Sequence, residues 1–187
     1  YQNEDGGFGM LDYDIECPFS CLKTTESACR YIFALKSIPA EHLMMQKLIP
    51  YIVANYSKST GEWDNLLVPE VNDYPHAPWW HYEETEKFVP KDRAELIDHY
   101  DPNTNSALAG MLIKYSSLVP QHLLDEIMGV VIDKINSGCD FGQHGMNSDI
   151  YFINELRDEK LKCDLLKTLM GNGKLISLLD ANWGTEN

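Results

Sequence analysis

A glycine-rich stretch opens the sequence: residues 1–9 read Y-Q-N-E-D-G-G-F-G. Asp5 followed by two glycines is typical of a tight turn, because glycine adopts positive φ angles without steric cost. A glycine paired with an aromatic residue recurs at three later turns, and the aromatic members of the four turns are Phe8, Trp63, Phe141 and Trp183. We interpret these turns as the boundaries of a degenerate internal repeat.

The segments between the turns carry apolar residues at helical spacing. Helices are predicted from Thr24 or Thr25 to about Ser37, from Pro39 through a kink at Pro50, after Asp101, after Pro120, over residues 148–156 and 160–170, and briefly before the last turn. The first helix is expected to bury Ala28, Tyr31, Ile32 and Leu35. No stretch is typical of a strand, so the sequence predicts an all-α array of helical hairpins that stack to bury their apolar faces.

One long segment, residues 64–100, interrupts this pattern and shows little periodicity. We interpret it as a loop inserted into a single domain that spans residues 1–187. Its centre, residues 72–82, reads N-D-Y-P-H-A-P-W-W-H-Y. Pro75 and Pro78 exclude a regular helix there. A loop with so many aromatic residues either fills a core as a plug or forms the wall of a binding site.

The overall composition excludes some kinds of partner. The 187 residues carry a formal net charge of −14, which argues against nucleic acid, because phosphate binding needs clustered lysine and arginine. No apolar run approaches the roughly 18–20 residues of a membrane span. A small-molecule partner, apolar or carbohydrate, is compatible with this composition.

The five cysteines are an odd number at irregular spacing, which is a poor disulfide framework. A reducing, cytoplasmic location is therefore expected. Cys17 and Cys21 are close enough in sequence to share a metal, with Cys139 and His144 as further ligands, but the spacing lacks the usual two-residue knuckle. We predict buried thiols there, and neither a metal nor another cofactor.

The aromatic loop holds the first candidate site. Asp73 and His76 are candidates for proton transfer, since a carboxylate near an imidazole can act as a general acid or base. The alternative is that they satisfy the loop's own backbone. The candidate substrate-binding wall, suited to an apolar chain, a carbocation or a sugar ring, consists of Tyr74, Trp79, Trp80 and Tyr82.

A second candidate pair, Asp12 and Asp14, follows the first turn. Two nearby carboxylates can acquire different pKa values, so that one stays protonated as an acid. The alternative is that both accept backbone N–H groups in an irregular loop. Asn103 is a further candidate ligand contact, although helix capping is an equally simple role for Asn103 or Asn105.

Residues 2–9 resemble the Q-x-x-D-G-G-W/F-G turns of terpenoid cyclases and protein prenyltransferase β-subunits. Thr24-Thr25-x-x-Ala28 is similar to the start of a helix in that repeat. Together with residues 72–80 and 101–110, the chain resembles bacterial proteins of unknown function described as squalene cyclase- or prenyltransferase-like. The resemblance implies an (α/α) toroid, a ring of inner and outer helices. Because about seven helices are fewer than the twelve of a closed ring, and the chain begins at Tyr1 within the motif, we expect a fragment of a toroid.

The chain departs from both families at their catalytic motifs. Class II terpenoid cyclases protonate their substrate through a D-x-D-D motif, and the nearest match here, Asp12-Tyr13-Asp14-Ile15, lacks the last carboxylate. The motifs that bind zinc in prenyltransferases have no counterpart that we can place. The resemblance therefore supports the fold better than either activity.

Three functions remain open from the sequence. The first is a cyclase- or prenyltransferase-like enzyme, or a remnant of one, that holds an apolar or cyclic substrate in an aromatic-lined cavity. The second is a carbohydrate-active protein, with paired carboxylates and tryptophan platforms. The third is a non-catalytic helical scaffold that binds a protein. An apolar pocket would favour the first function, a polar groove the second and a filled centre the third.

Overall fold

The computed structural model describes residues 1–35, 38–138 and 142–171. Within these ranges the regular structure is helical, apart from short 3₁₀ turns and isolated β-bridges. The α-helices are α1 (Leu22–Ala34), α2 (Leu43–Ala54), α3 (Arg93–His99), α4 (Pro102–Lys114), α5 (Gln121–Ser137), α6 (Gly142–Glu155) and α7 (Glu159–Gly171). An all-α fold is confirmed for the described residues, whereas the (α/α) toroid arrangement stays a prediction.

Helix α4 lies at the centre of the fold, where eleven of its thirteen residues are buried. It packs most extensively against α6 and also contacts α1, α2 and α5. The approach to α6 is close because Gly110 faces backbone: a Cβ built on Gly110 would lie 3.1 Å from Cα of Phe152. A larger residue at this position would push the two helices apart, since protein interiors are close-packed.

The first two glycine turns have the same construction. Gly6 and Gly61 both lie in the left-handed region, with φ angles of +97° and +74°. The aromatic residue two positions further on, Phe8 in one turn and Trp63 in the other, is buried. Glycine favours both backbone conformations because it has no Cβ. The prediction that these glycines form turns is confirmed.

Both turns are also tied to a following helix in the same way. The backbone N–H of Phe8 donates to Oγ1 of Thr25 at 3.0 Å, and that of Trp63 donates to Oδ1 of Asn105 at 2.7 Å. Thr25 and Asn105 are each the fourth residue of their helix, α1 and α4. The internal repeat is thus visible as geometry in these two units. The aromatic residues of the other two turns, Phe141 and Trp183, and the short helix before Trp183 lie outside the described residues.

Several predicted helix boundaries need correction. Helix α3 lies inside the segment predicted to be loop; seven residues capped by Asp92 are too short to show an apolar period. Helix α6 begins at Gly142 rather than Ser148. Helix α2 begins at Leu43, later than predicted, and continues through Pro50. The order of the six longer helices nevertheless follows the sequence prediction.

The buried face of α1 differs from the predicted one. Ala28 and Ile32 are buried as expected, but Tyr31 is 62% exposed and Leu35 is 55% exposed. The prediction that these two residues face the core is wrong. The first two turns of α1 are buried on all sides, and they include polar residues that apolar periodicity does not count: Lys23, Thr24, Thr25, Glu26 and Ser27.

The helices share one large apolar core, and a small separate core lies under the long loop. The small core consists of Ile15, Cys17 and Val71, with Tyr74 and Trp80 packed against it. It attaches the loop to the segment that follows the first turn. Within the described ranges, none of the helices has both the length and the apolar character required to cross a bilayer.

Candidate functional site

The loop at residues 72–82 is closed on itself by one side chain. The amide of Asn72 donates to the carbonyl of Tyr82 at 2.9 Å and accepts from its backbone N–H at 2.8 Å. Between these ends the chain forms a 3₁₀ turn at Pro78–Trp80. The loop is therefore ordered by its own contacts as well as by its prolines.

Backbone pairing holds the loop against the segment after the first turn. The N–H of Ala77 donates to the carbonyl of Asp14 at 2.8 Å, and the N–H of Glu16 donates to the carbonyl of Pro75 at 2.9 Å. The pairing brings the indole of Trp79 to Asp14, where Nε1 lies 3.4 Å from Oδ2. Two stretches that are some sixty residues apart in sequence thus form one surface.

A cleft of about 780 Å³ opens where these two stretches meet α1. We name it the Asp12 cleft; its walls are Leu11, Asp12, Tyr13, Asp14, Lys23, Ser27, Arg30, Tyr31, Trp79, Trp80, Asn103 and His144. Five of the residues predicted to form a site meet there: Asp12, Asp14, Trp79, Trp80 and Asn103. The volume is in the range of small-molecule sites.

The floor of the Asp12 cleft is a buried chain of charges. Nζ of Lys23 lies 3.1 Å from Oδ2 of Asp12 and 3.0 Å from Oε2 of Glu26, and Glu26 also accepts a hydrogen bond from Arg30. Asp12, Lys23 and Glu26 are all buried. Because each charge has an opposite neighbour, the penalty for burying them is offset. The floor presents fixed polar groups of both signs.

Asp12 is ionised within this network. Burial alone would raise its pKa, but the hydrogen bond from Ser27 and the charge of Lys23 outweigh burial, and the pKa lies below the ordinary value of 3.8. Burial would likewise lower the pKa of Lys23, yet Glu26 and Asp12 raise it above its ordinary value. The shifts of the two partners agree in direction. Asp12 therefore acts in this structure as a carboxylate that holds Lys23, rather than as a carboxylic acid that can donate a proton.

Aromatic rings form the other wall of the Asp12 cleft. Trp79 is 70% exposed, so that its indole is open to a ligand. Trp80 is half-buried, and Nζ of Lys23 lies 5.3 Å from the centre of its ring, within the range of a cation–π contact. Tyr13 and Tyr31 stand exposed at the rim. Exposed aromatic side chains in a concave site are typical of ligand recognition.

The other residues predicted to form a site lie elsewhere. His76 stacks on His81, with Nε2 of His76 3.1 Å from Nδ1 of His81, and its Nδ1 lies 2.7 Å from the carbonyl of Tyr74. Tyr74 packs against the small core. Asp73 is exposed and, like His76 and Tyr74, is not among the residues that line the Asp12 cleft. Their predicted roles therefore have no support from that cleft.

A second cleft, of about 610 Å³, is also lined by the tryptophan pair. We name it the Glu62 cleft. Its walls are residues 62–67 and 79–88 together with His99, Asp101 and Asn105. Trp79 and Trp80 line both clefts, so the two cavities meet at these rings. Tyr82, predicted as a binding residue, belongs to the Glu62 cleft.

Glu62 forms the buried part of the second cleft. Burial raises the pKa of its carboxyl to about 7, and the neighbouring Asp64 and Asp101 carboxylates add to the effect. Nε2 of His99 lies 3.4 Å from Oε1 of Glu62 and attracts it when the imidazole is protonated. The ring of Phe88 covers His99, with centroids 4.1 Å apart.

Sequence reasoning missed the charged residues of α1. Lys23, Ser27 and Arg30 recur at helical spacing and so share one face of the helix with Glu26. A polar stripe on a helix is ordinarily exposed to solvent. The sequence therefore does not indicate that this stripe faces a cleft. The aspartate pair and the aromatic loop were more visible because both break the helical pattern.

The predicted absence of a metal stays a prediction. Cys17 and Cys21 are buried thiols in the structure, and Cys139, the third member of the rejected zinc set, lies outside the described residues. Within residues 1–35, 38–138 and 142–171, no group of three or more histidine, cysteine or carboxylate side chains could hold a metal ion.

Comparison of the chain with protein-family models, with curated proteins and with solved structures finds no match. The function is therefore argued from the geometry of the two clefts.

Proposed function

We propose that the protein binds a carbohydrate, with one sugar ring stacked on Trp79 in the Asp12 cleft. The observation that supports this function is the mixed lining of one cavity: an exposed indole stands beside fixed groups that donate and accept hydrogen bonds. A sugar ring has an apolar C–H face and a polar edge of hydroxyl groups. The lining of the cleft complements both, as ligand sites with few placed polar groups do.

The hydroxyl partners in this proposal are side chains that stand around the tryptophan. Arg30 and Asn103 supply N–H donors, and Asp14 supplies an acceptor. Asp14 is the carboxylate of the cleft that belongs to no ion pair among the described residues. Asp12 orients this group, since Oδ1 of Asp12 accepts the backbone N–H of Asp14 at 2.9 Å.

An isoprenoid, implied by the resemblance to terpenoid cyclases, is the second candidate ligand. The four aromatic rings of the Asp12 cleft support it, because aromatic faces suit an apolar chain or a carbocation. Two features favour the sugar instead. Leu11 is the only aliphatic side chain among the described lining residues. Covering Asp14 and the partly exposed guanidinium of Arg30 with a hydrocarbon would remove water from charged groups at a cost.

The test is a binding assay with neutral β-1,4-linked and α-1,4-linked glucose tetramers, measured by calorimetry and by ligand-observed NMR. We expect saturable binding that Trp79→Ala weakens by at least about tenfold. Tyr1→Ala removes an equally exposed aromatic residue that lines neither cleft and is the matched control. No binding to either sugar, together with saturable binding of farnesyl diphosphate or farnesol, would replace the sugar by the isoprenoid.

A further inference from the structure

The Glu62 cleft extends the surface on which the proposed sugar site lies. Trp79 and Trp80 line both clefts, so the clefts adjoin at these two residues, and a chain of linked rings long enough to pass them reaches from one cleft into the other. Each cleft alone has the volume of a small-molecule site. The arrangement favours a ligand of at least two units rather than a single ring.

The two clefts differ sharply in charge. The Asp12 cleft is balanced, since its lining has two carboxylates, Asp12 and Asp14, against Lys23 and Arg30. Among the residues that the structure describes, the lining of the Glu62 cleft has one lysine, Lys87, and six carboxyl groups: Glu62, Asp64, Glu83, Glu84, Glu86 and Asp101. A cleft lined mostly by one sign of charge concentrates ligands of the opposite sign.

Most of this negative charge is not neutralised by the protein. Asp64 pairs with Lys87 at 3.2 Å. By contrast, Glu83, Glu84 and Glu86 are exposed and form no ion pair with any residue in the described ranges. The carboxylates therefore project from the wall of a cavity that already contains aromatic faces.

Aromatic rings beside exposed carboxylates in the same cavity suit a cationic group. Tyr82 and Phe88 line the cleft beside the tryptophans, and ammonium groups bind over such faces. Glu62 is buried and its pKa is raised to about 7, so the negative charge that faces an ammonium group near pH 6 comes from the exposed carboxylates Glu83, Glu84 and Glu86. A bare metal ion is a poorer occupant, since no metal-binding cluster of three such ligands exists in the described residues.

We infer that the ligand is an amino-sugar oligosaccharide, with one ring on Trp79 in the Asp12 cleft and the ammonium group of the adjoining ring in the Glu62 cleft. The inference rests on the proposed sugar-binding function and specifies the class of sugar. Neutral hydroxyls meet the charge-balanced lining, and the amine meets the carboxylates. The ring platform shared by the two clefts is what distinguishes this ligand from a free polyamine.

The experiment compares three β-1,4-linked tetramers that share a backbone and differ at carbon 2: glucosamine, N-acetylglucosamine and glucose. Binding to the whole chain is measured by calorimetry at about pH 6, where a sugar amine is largely protonated. We expect the glucosamine tetramer to bind about tenfold more tightly than the other two. Its affinity falls as salt rises, because exposed charges are screened.

A pair of charge-matched variants separates the cleft from the general acidity of the chain. Glu84→Gln with Glu86→Gln removes two carboxylates from the Glu62 cleft, and Glu4→Gln with Glu41→Gln removes two exposed carboxylates that line neither cleft. We expect the first pair to lower the affinity for the glucosamine tetramer about five- to tenfold and the second pair to change that affinity less than twofold. We expect neither pair of substitutions to change the affinity for the glucose tetramer.

The outcomes distinguish this inference from the function on which it rests. Equal affinity for all three tetramers leaves the sugar site standing and overturns the amino-sugar class. Equal weakening by the two pairs of variants also overturns it, because the attraction would then come from the net charge of −14. If none of these three tetramers binds, this inference fails, and the proposed function fails with it when the α-1,4-linked glucose tetramer does not bind either.

Discussion

Trp63 and Asn105 are joined by a 2.7 Å hydrogen bond between the backbone N–H of the tryptophan and Oδ1 of the asparagine. The same bond joins Phe8 to Thr25 one repeat earlier. In both units a buried aromatic residue after a glycine turn is attached to the fourth residue of an inward-packed helix. The repeat is therefore preserved in a side chain-to-backbone contact even where the motif letters have diverged.

Substituting Asn105 measures how much its hydrogen bond to Trp63 contributes to stability. Asn105→Ala leaves a buried N–H on Trp63 without a partner, and we expect it to lower the free energy of unfolding by about 2 kcal/mol. Asn55→Ala, at an exposed helix end, should change it by less than about 0.5 kcal/mol. Urea denaturation of both variants measures the difference. Equal effects would mean that the turn is held by packing alone.

The two turn glycines should differ in their tolerance of alanine. Both have positive φ, so each substitution costs about 1–2 kcal/mol in backbone strain. At Gly6 the new Cβ would also lie 2.3 Å from the backbone oxygen of Lys47, whereas at Gly61 it would meet the flexible end of Leu96. We expect Gly6→Ala to lower the free energy of unfolding by about 3–5 kcal/mol and Gly61→Ala by about 1–2 kcal/mol. Thermal and urea unfolding check the order, and a larger effect at Gly61 would contradict it.

The Asp12–Lys23 pair should stabilise the protein in a pH-dependent way. The pKa of Asp12 is below 3.8 in the folded state, so its contribution is present above that pH and is lost as the pH falls through the lower folded value. We expect Asp12→Asn to reduce the free energy of unfolding by about 3 kcal/mol at pH 7, since Lys23 loses a buried partner. Urea denaturation at several pH values measures the difference between the variant and the parent. A difference that does not narrow in acid would show that packing, rather than charge, is lost.

The carboxyl of Asp149 makes stability depend on pH in the opposite direction. Burial raises the pKa of this carboxyl in α6 to about 7. The folded state thus holds a proton that the unfolded chain releases near pH 4, and stability falls as the pH rises from about 4 to about 7. Asp149→Asn should make the melting temperature nearly independent of pH across this interval. Asp125→Asn, at an exposed site, should leave the slope unchanged. A slope that persists in Asp149→Asn would assign it to other groups, Glu62 first among them.

Local signals in the sequence predicted much of the fold. The turn at Gly6 and the helix after Asp101 could be predicted because glycine conformation and capping depend on a few adjacent residues. Helix α3 was missed because a seven-residue helix has too few turns to show a period. Tyr31 was assigned to the wrong face because the buried surface of α1 includes polar side chains paired with one another.

The site was predictable in its parts but not in its assembly. Asp14 and Trp79 were both candidates, yet their meeting depends on irregular backbone pairing between residues 14–16 and 75–77, which leaves no periodic trace. Lys23 joins the site through the direction in which α1 packs. His76 was chosen for its chemistry, but its ring stacks on His81 away from the Asp12 cleft.

The closure of the aromatic loop by Asn72 affects when its ordering entropy is lost. When a loop becomes ordered only on binding its ligand, the lost conformational entropy opposes binding and lowers the affinity. Here the two hydrogen bonds between Asn72 and Tyr82, with the pairing to residues 14–16, remove that freedom when the chain folds. The tryptophan platform is thus preorganised, and association should be limited by diffusion and desolvation rather than by a change of loop conformation.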